Sequence, residues 1–155
     1  MRKNIATLTL GLLMASVAVF AADSSLGTWK WNAAKSKSNS TNPLKNRTDV
    51  YEASPDGGIK VTRTETRADG TTNNSSYAFK YDGKEYPVKG QPFDTISAKR
   101  VDDNTTVTDV SKKGGPLRQT SRNVFSKDGK TRTQTVTGTD AAGKQVSSSY
   151  VYDKQ

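Results

Sequence analysis

Turn signals recur along this chain at a regular interval, and that interval limits what it can fold into more than any other feature. They are Pro55-Asp56-Gly57-Gly58, Ala68-Asp69-Gly70, Tyr81-Asp82-Gly83, Asp102-Asp103-Asn104, Gly114-Gly115-Pro116, Lys127-Asp128-Gly129 and Asp140-Ala141-Ala142-Gly143. Most lie about a dozen residues apart, as the turns of sequential hairpins in a sandwich or barrel do. The stretches between them are rich in Thr, Val, Tyr and Ile, and none has a helical period. Strands are predicted over 26–32, 47–53, 59–67, 71–81, 94–101, 105–112, 117–126, 131–138 and 145–152, with a short one at 85–88.

Alternation assigns faces to several of these strands. Ile59 and Val61 share one face, Tyr77, Phe79 and Tyr81 another, and Val146, Tyr150 and Tyr152 a third, each separated by polar residues. The faces of 105–112 are not assigned by alternation. A meander of eight to ten antiparallel strands with one apolar face leaves exposed edges unless it closes, so the all-β fold expected is an up-and-down barrel. A two-sheet sandwich stays open as the alternative, because spacing does not show closure. The polar, aperiodic stretch from Ala33 to Asn46 is expected to be a surface loop after the first strand.

The first segment stands apart from this pattern. Met1-Arg2-Lys3 is a short positive start, Ile5 to Phe20 is apolar with few interruptions, and small residues surround Ala21. Residues 1–21 read as a secretory signal peptide, with cleavage expected after Ala21 and residues 22–155 forming a single domain. The apolar part is shorter than a bilayer span, so no transmembrane segment is expected in the mature chain. No Cys stands at the junction, so no bacterial lipid anchor is expected either. The localisation expected is periplasmic or secreted, in a bacterium. Losing Arg2 and Lys3 lowers the formal charge from +9 to +7. With no cysteine in the chain, packing and strand pairing must supply the stability in place of disulfides.

The first predicted strand holds Gly27-Thr28-Trp29-Lys30-Trp31-Asn32, in which both indoles fall on one face. It is followed by Ala34-Lys35-Ser36, then by the Tyr81-Asp82-Gly83-Lys84-Glu85-Tyr86-Pro87-Val88 hairpin, Ser126-Lys127-Asp128-Gly129-Lys130 and the closing Val151-Tyr152-Asp153-Lys154-Gln155. Together these resemble the small exported bacterial proteins with a lipocalin-like, calycin-type β-barrel. The Gly-X-Trp opening resembles the lipocalin first strand, and the resemblance implies that Trp29 closes one end of the barrel. It also implies a large loop after the first strand over the open mouth, and a late Arg stacked on the first-strand Trp, for which Arg122 and Arg132 are the candidates. Gly27, Trp29 and Trp31 are accordingly assigned a structural role.

Catalysis has little to work with. His and Cys are both absent, which removes the commonest general base, the thiol nucleophile and most zinc sites. Most Asp residues are explained as turn formers, leaving Glu52, Glu65, Glu85 and Asp109 as strand acids, read as solvated groups or cross-strand partners of Lys and Arg. Asp102-Asp103-Asn104 has too few spaced carboxylates for calcium and reads as a turn. No enzyme activity, metal or cofactor is expected.

The functional signal lies in polar residues that continue apolar faces. Arg63 and Glu65 continue the face of Ile59 and Val61, Arg100 that of Ile96 and Ala98, and Gln119 follows Leu117, while Arg132 and Gln134 precede Val136. If these faces point inward, the lower barrel is apolar and the upper part carries guanidinium and amide groups. Candidate ligand-binding residues are Arg63, Tyr77, Phe79, Arg100, Arg132, Gln134 and Tyr150, a set suited to a small amphipathic or anionic molecule. The plainer reading runs these strands past the core, with Arg stems covering apolar surface. Lys35, Lys37, Lys45, Arg47, Lys112, Lys113, Arg118, Arg122, Lys127, Lys130 and Arg132 are read as a basic surface, suited either to simple solubility or to anionic lipid or lipopolysaccharide. Export makes nucleic acid an unsuitable partner. The expected function is non-enzymatic binding of a small ligand in the barrel; the alternative is a cell-envelope surface or partner-binding protein with a filled core.

Overall fold

In the computed structural model, which describes residues 23–155, ten antiparallel strands form one sheet rolled into a nearly closed barrel. They are β1 (Gly27–Ser38), β2 (Leu44–Ala53), β3 (Ile59–Arg67), β4 (Thr72–Phe79), β5 (Asp82–Pro87), β6 (Thr95–Asp102), β7 (Thr105–Ser111), β8 (Arg118–Phe125), β9 (Thr131–Thr139) and β10 (Gln145–Lys154). The expected signal peptide lies outside the described residues. Every predicted strand is present, and the turns join them as hairpins except at Tyr81-Asp82-Gly83, where the expected hairpin does not form because the flanking strands β4 and β5 share no ladder.

The sheet order is β4-β3-β2-β1-β10-β9-β8-β7-β6-β5. The last strand therefore pairs with the first, with Trp29 opposite Lys154 and Trp31 opposite Tyr152. The two sheet edges are β4 and β5, consecutive in sequence yet without a ladder between them. Side chains from the β5–β6 loop fill that seam. Phe93 meets Tyr77 edge-on at 6.0 Å, and the Gln91 amide reaches the Ser75 hydroxyl.

One expectation is corrected. The stretch 33–46 is not a loop throughout: β1 runs on to Ser38 and β2 begins at Leu44, so only residues 39–43 connect them. Pairing with β10 steps from Asn32↔Val151 to Lys37↔Ser149, which accommodates a bulge on β1. A side chain completes the ladder there. The Ser36 hydroxyl donates to the Asn32 carbonyl at 2.7 Å and accepts from the Val151 amide at 2.9 Å. Polar residues that look like loop in sequence are thus held as strand by side-chain bonds that replace missing backbone ones.

Alternation places two apolar clusters inside. One gathers Ile59, Val61, Tyr77, Phe79, Val88, Phe93, Ile96, Ala98 and Leu117; the other gathers Trp29, Leu44, Phe125, Val136, Tyr150 and Tyr152. Trp29 and Tyr152 have no exposed surface, while Trp31 is half-buried against the second cluster.

The end of the barrel beneath Trp29 is plugged by residues 23–26. The Trp29 indole donates to the Ser25 carbonyl at 2.8 Å, and Asp23 caps that turn through the Ser25 amide and hydroxyl. Gly27 sits at φ +123°, and a Cβ there would lie 2.5 Å from Lys154 Cε, whose ammonium rests 5.1 Å from the Trp29 ring. A side chain at this position would strain the backbone and displace Lys154.

Candidate functional site

The barrel encloses a cavity of about 410 Å³ that opens between loops 39–43, 88–94 and 140–144. This volume falls in the range of small-molecule sites. Its wall mixes apolar Phe93, Ile96, Val110, Leu117, Val136 and Val146 with polar Thr108, Gln119, Ser121 and Gln134, Gln119 standing opposite Val110 and Ser121 opposite Val136. Tyr77, Phe79 and Tyr51 line one side, and Arg47, Arg63, Glu65 and Arg67 stand beside them.

The charged side chains are joined in one network. Asp49, fully buried on β2, accepts from Arg63 Nε at 2.8 Å and Nη2 at 3.3 Å, and from Arg132 Nη2 at 2.7 Å. Arg47 donates to Glu65 from both Nε and Nη2, and its Nη1 reaches the Tyr152 hydroxyl at 3.0 Å. That hydroxyl donates on to Gln134 Oε1 at 3.3 Å. Arg67, nearer the opening, donates to Glu65 Oε1 and to the Asn42 carbonyl.

Burial alone would raise the Asp49 carboxyl, but the guanidinium groups of Arg63, Arg132 and Arg47 outweigh it and hold that group far below the usual carboxylate range. Glu65 is likewise pushed up by burial and brought below its ordinary value by Arg47, Arg63 and Arg67. Burial raises the Tyr77 hydroxyl, which stays neutral against the cavity.

Three enclosed arginines, Arg47, Arg63 and Arg132, therefore share two carboxylates, Asp49 and Glu65, and the interior carries surplus positive charge. Arg63 is the arginine with an open end. Its side chain is 10% exposed, its Cζ lies 5.9 Å from the Tyr77 ring, and its Nη1 has no hydrogen-bond acceptor among the described residues.

Of the candidate residues, Arg63, Tyr77, Phe79, Gln134 and Tyr150 line the cavity. Arg100 does not. It continues the inward face of Ile96 and Ala98, but at the plugged end, where it pairs with Asp23 at 2.6 Å and stacks 4.6 Å from Tyr81. Arg132 does not line it either. It has no exposed surface and lies over the Tyr152 ring at 3.8 Å, with Tyr51 at 5.1 Å and Trp29 at 5.8 Å. Of the two arginines considered for stacking on the first-strand indole, Arg132 takes that place. Its Nε and Nη1 are buried without a partner, as is the Trp31 indole N–H.

Two further expectations change. Arg47 and Arg132, read as surface cations, are both buried. The split into an apolar lower and polar upper barrel holds on β3 alone. On β8 and β9 the order reverses, with Leu117 and Val136 nearer the opening and Asn123 and Arg132 toward the plugged end. Sequence reasoning missed Asp49 altogether. Its place in the Arg47-Thr48-Asp49-Val50-Tyr51 alternation is the signal that marks it as inward. Among the described residues no three acidic side chains converge as a metal site requires, and Asp102 instead accepts from the Asn104 amide to hold its turn.

No protein-family model matches the chain, and no curated protein matches it in sequence. Solved structures do match in shape. A Schistosoma mansoni fatty acid binding protein in complex with arachidonic acid aligns at TM-score 0.57 and 19% identity, over 85% of this chain and 96% of that one. The wild-type fluorescent protein UnaG aligns at TM-score 0.55 and 13% identity, over 84% and 97%. The fold is that of the lipocalin and fatty-acid-binding-protein barrels. At these identities the likeness concerns the fold alone.

Proposed function

We propose that this chain is an exported, non-enzymatic binding protein that holds a small amphipathic molecule inside the barrel, with an anionic group directed inward to Arg63. The observation that carries this reading is the interior charge: enclosed guanidinium groups outnumber enclosed carboxylates, and Arg63 Nη1 faces the cavity without a protein acceptor. An unpaired guanidinium N–H in a low-dielectric cavity is costly, and a carboxylate, sulfonate or phosphate group satisfies it with a charge-assisted hydrogen bond. The apolar lining residues Phe93, Ile96, Val110, Leu117, Val136 and Val146 then take the rest of the molecule. The matched fatty acid binding protein, solved with arachidonic acid, supports the same use of such a barrel. The filled-core alternative is disfavoured by the open volume.

The test is a titration with an anionic amphiphile and its uncharged alcohol analogue. The anion is expected to bind at least tenfold more tightly, and Arg63→Met is expected to remove that preference while Asp49 keeps Arg132 as partner. Equal affinity for the two molecules in the unmodified protein overturns the charge assignment. Export is tested separately by N-terminal sequencing of protein from a periplasmic fraction, expected to begin at Ala22.

A further inference from the structure

Two sides of the cavity differ in kind. On the strands that line it, the charged side chains Arg47, Arg63, Glu65 and Arg67 all come from β2 and β3. In the sheet order, β2, β1, β10 and β9 separate β3 from β8 on one side and β4, β5, β6 and β7 on the other, so β8 stands across the barrel from β3. Around β8 the inward face is rich in polar, uncharged side chains. Thr108 lies opposite Ser121, Thr106 opposite Asn123 and Asn123 opposite Gln134, with Gln119 two residues from Ser121 on the same face. Thr108, Gln119 and Ser121 line the cavity, and their side chains make no hydrogen bond among the described residues. Gln134, only 7% exposed, also lines it; its Oε1 accepts from the Tyr152 hydroxyl, and its amide nitrogen has no acceptor among the described residues. Asn123, 3% exposed, has its Oδ1 buried without a partner among them. Interior amides and hydroxyls left unbonded are costly, and positions that only filled space would be apolar.

We propose that the ligand carries a neutral hydroxyl as well as its anionic group, and that Thr108, Gln119, Ser121 and Gln134 hold that hydroxyl across the cavity from Arg63. The inference rests on the cavity reading above and narrows the ligand from any anionic amphiphile to a hydroxylated organic acid. A hydroxyl both donates and accepts, which matches a wall that offers both functions. The Gln134 amide nitrogen is a donor only, so it takes the hydroxyl oxygen. The Thr108 and Ser121 hydroxyls and the Gln119 carbonyl oxygen are the acceptors for its hydrogen. A plain alkyl chain laid along the same groups would strip them of water and leave them unbonded, which is how a site built for a hydroxyl rejects the analogue lacking one. Val110, Leu117 and Val136, interleaved with the polar residues, meet the carbon skeleton between the two polar groups.

Calorimetric titration with decanoate and with ω-hydroxydecanoate tests this. The unmodified protein is expected to bind the hydroxy acid at least as tightly as the plain acid, whereas a wall without partners would weaken it about tenfold or more. A variant carrying Thr108→Val, Gln119→Met and Ser121→Ala removes the partners and breaks no side-chain hydrogen bond among the described residues. It is expected to weaken ω-hydroxydecanoate about tenfold and to leave decanoate as tight or tighter. Weaker binding of the hydroxy acid than of decanoate by the unmodified protein overturns the proposal, as does a triple variant that changes both acids by the same factor. Arg63→Met separates this from the charge assignment. If it weakens neither acid while the hydroxy acid keeps its advantage, the Arg63 reading fails and the hydroxyl site stands. If it weakens both acids and the triple variant leaves their ratio unchanged, the Arg63 reading stands and the hydroxyl site fails. A protein that binds neither acid overturns both.

Discussion

The floor around Trp29 and the wall around Tyr77 are built from the same kinds of residue, aromatic rings with an arginine laid against them, yet they do opposite things. At the floor, Arg132 lies 3.8 Å over Tyr152, has no exposed surface and donates to Asp49, and Trp29 tilts against Phe125 at 5.4 Å. At the wall, Arg63 lies 5.9 Å from Tyr77, donates to the same Asp49, and keeps one N–H toward open volume. The two arginines share a carboxylate and differ in what covers them. A sealed floor and an open cavity wall are thus divided by burial, with residue type common to both.

The comparison is broken most directly at the shared carboxylate. Asp49→Asn leaves Arg63 and Arg132 buried without a counter-charge and is expected to destabilise the fold by about 3–5 kcal/mol, read by denaturant unfolding. A loss under about 1 kcal/mol would mean that the guanidinium groups are compensated by something other than Asp49. Next comes the wall. Phe93→Ala borders space that is already open, so it is expected to cost about 2–3 kcal/mol, less than the same truncation at Trp29, which leaves a closed void. If the two truncations cost the same, the wall is packed as tightly as the floor.

Acid sharpens the same contrast. Asp49 and Glu65 both sit below their unfolded values, so their contribution is fully present above about pH 5 and is lost as pH falls toward the lower folded-state values. Stability is expected to decline below about pH 5, and Asp49→Asn is expected to flatten that decline. A steeper decline in the variant contradicts the pairing. The smallest effect is Gly27→Ala, expected to cost about 1 kcal/mol from the φ of +123°, with Tm as the measurement.

Much of the architecture was legible because turn chemistry is local. Asp-Gly pairs and period-two alternation act within a hairpin, and they marked all ten strands and the inward faces of Tyr77, Phe79, Gln134 and Tyr150. What was hidden depends on distant chain. The extension of β1 to Ser38 rests on Ser36 bonding to Val151, which no local pattern announces. Arg47 looks like one more basic residue until β3 and β10 bring Glu65 and Tyr152 to it. Arg100 and Arg132 share the inward register with Arg63, but alternation fixes a face and not a level. The depth of each along the barrel, which separates a cavity wall from a sealed floor, is set by the register of ten strands together.

The unladdered seam between β4 and β5 gives the barrel one line along which it can part without breaking backbone hydrogen bonds. Among the described residues, side-chain contacts hold it shut, such as those of Gln91 with Ser75 and of Phe93 with Tyr77. Amide protons on the outer edges of those two strands are therefore the first expected to trade with deuterium, well ahead of β1 and β10, where a Trp-anchored ladder on both sides keeps the wall stiff.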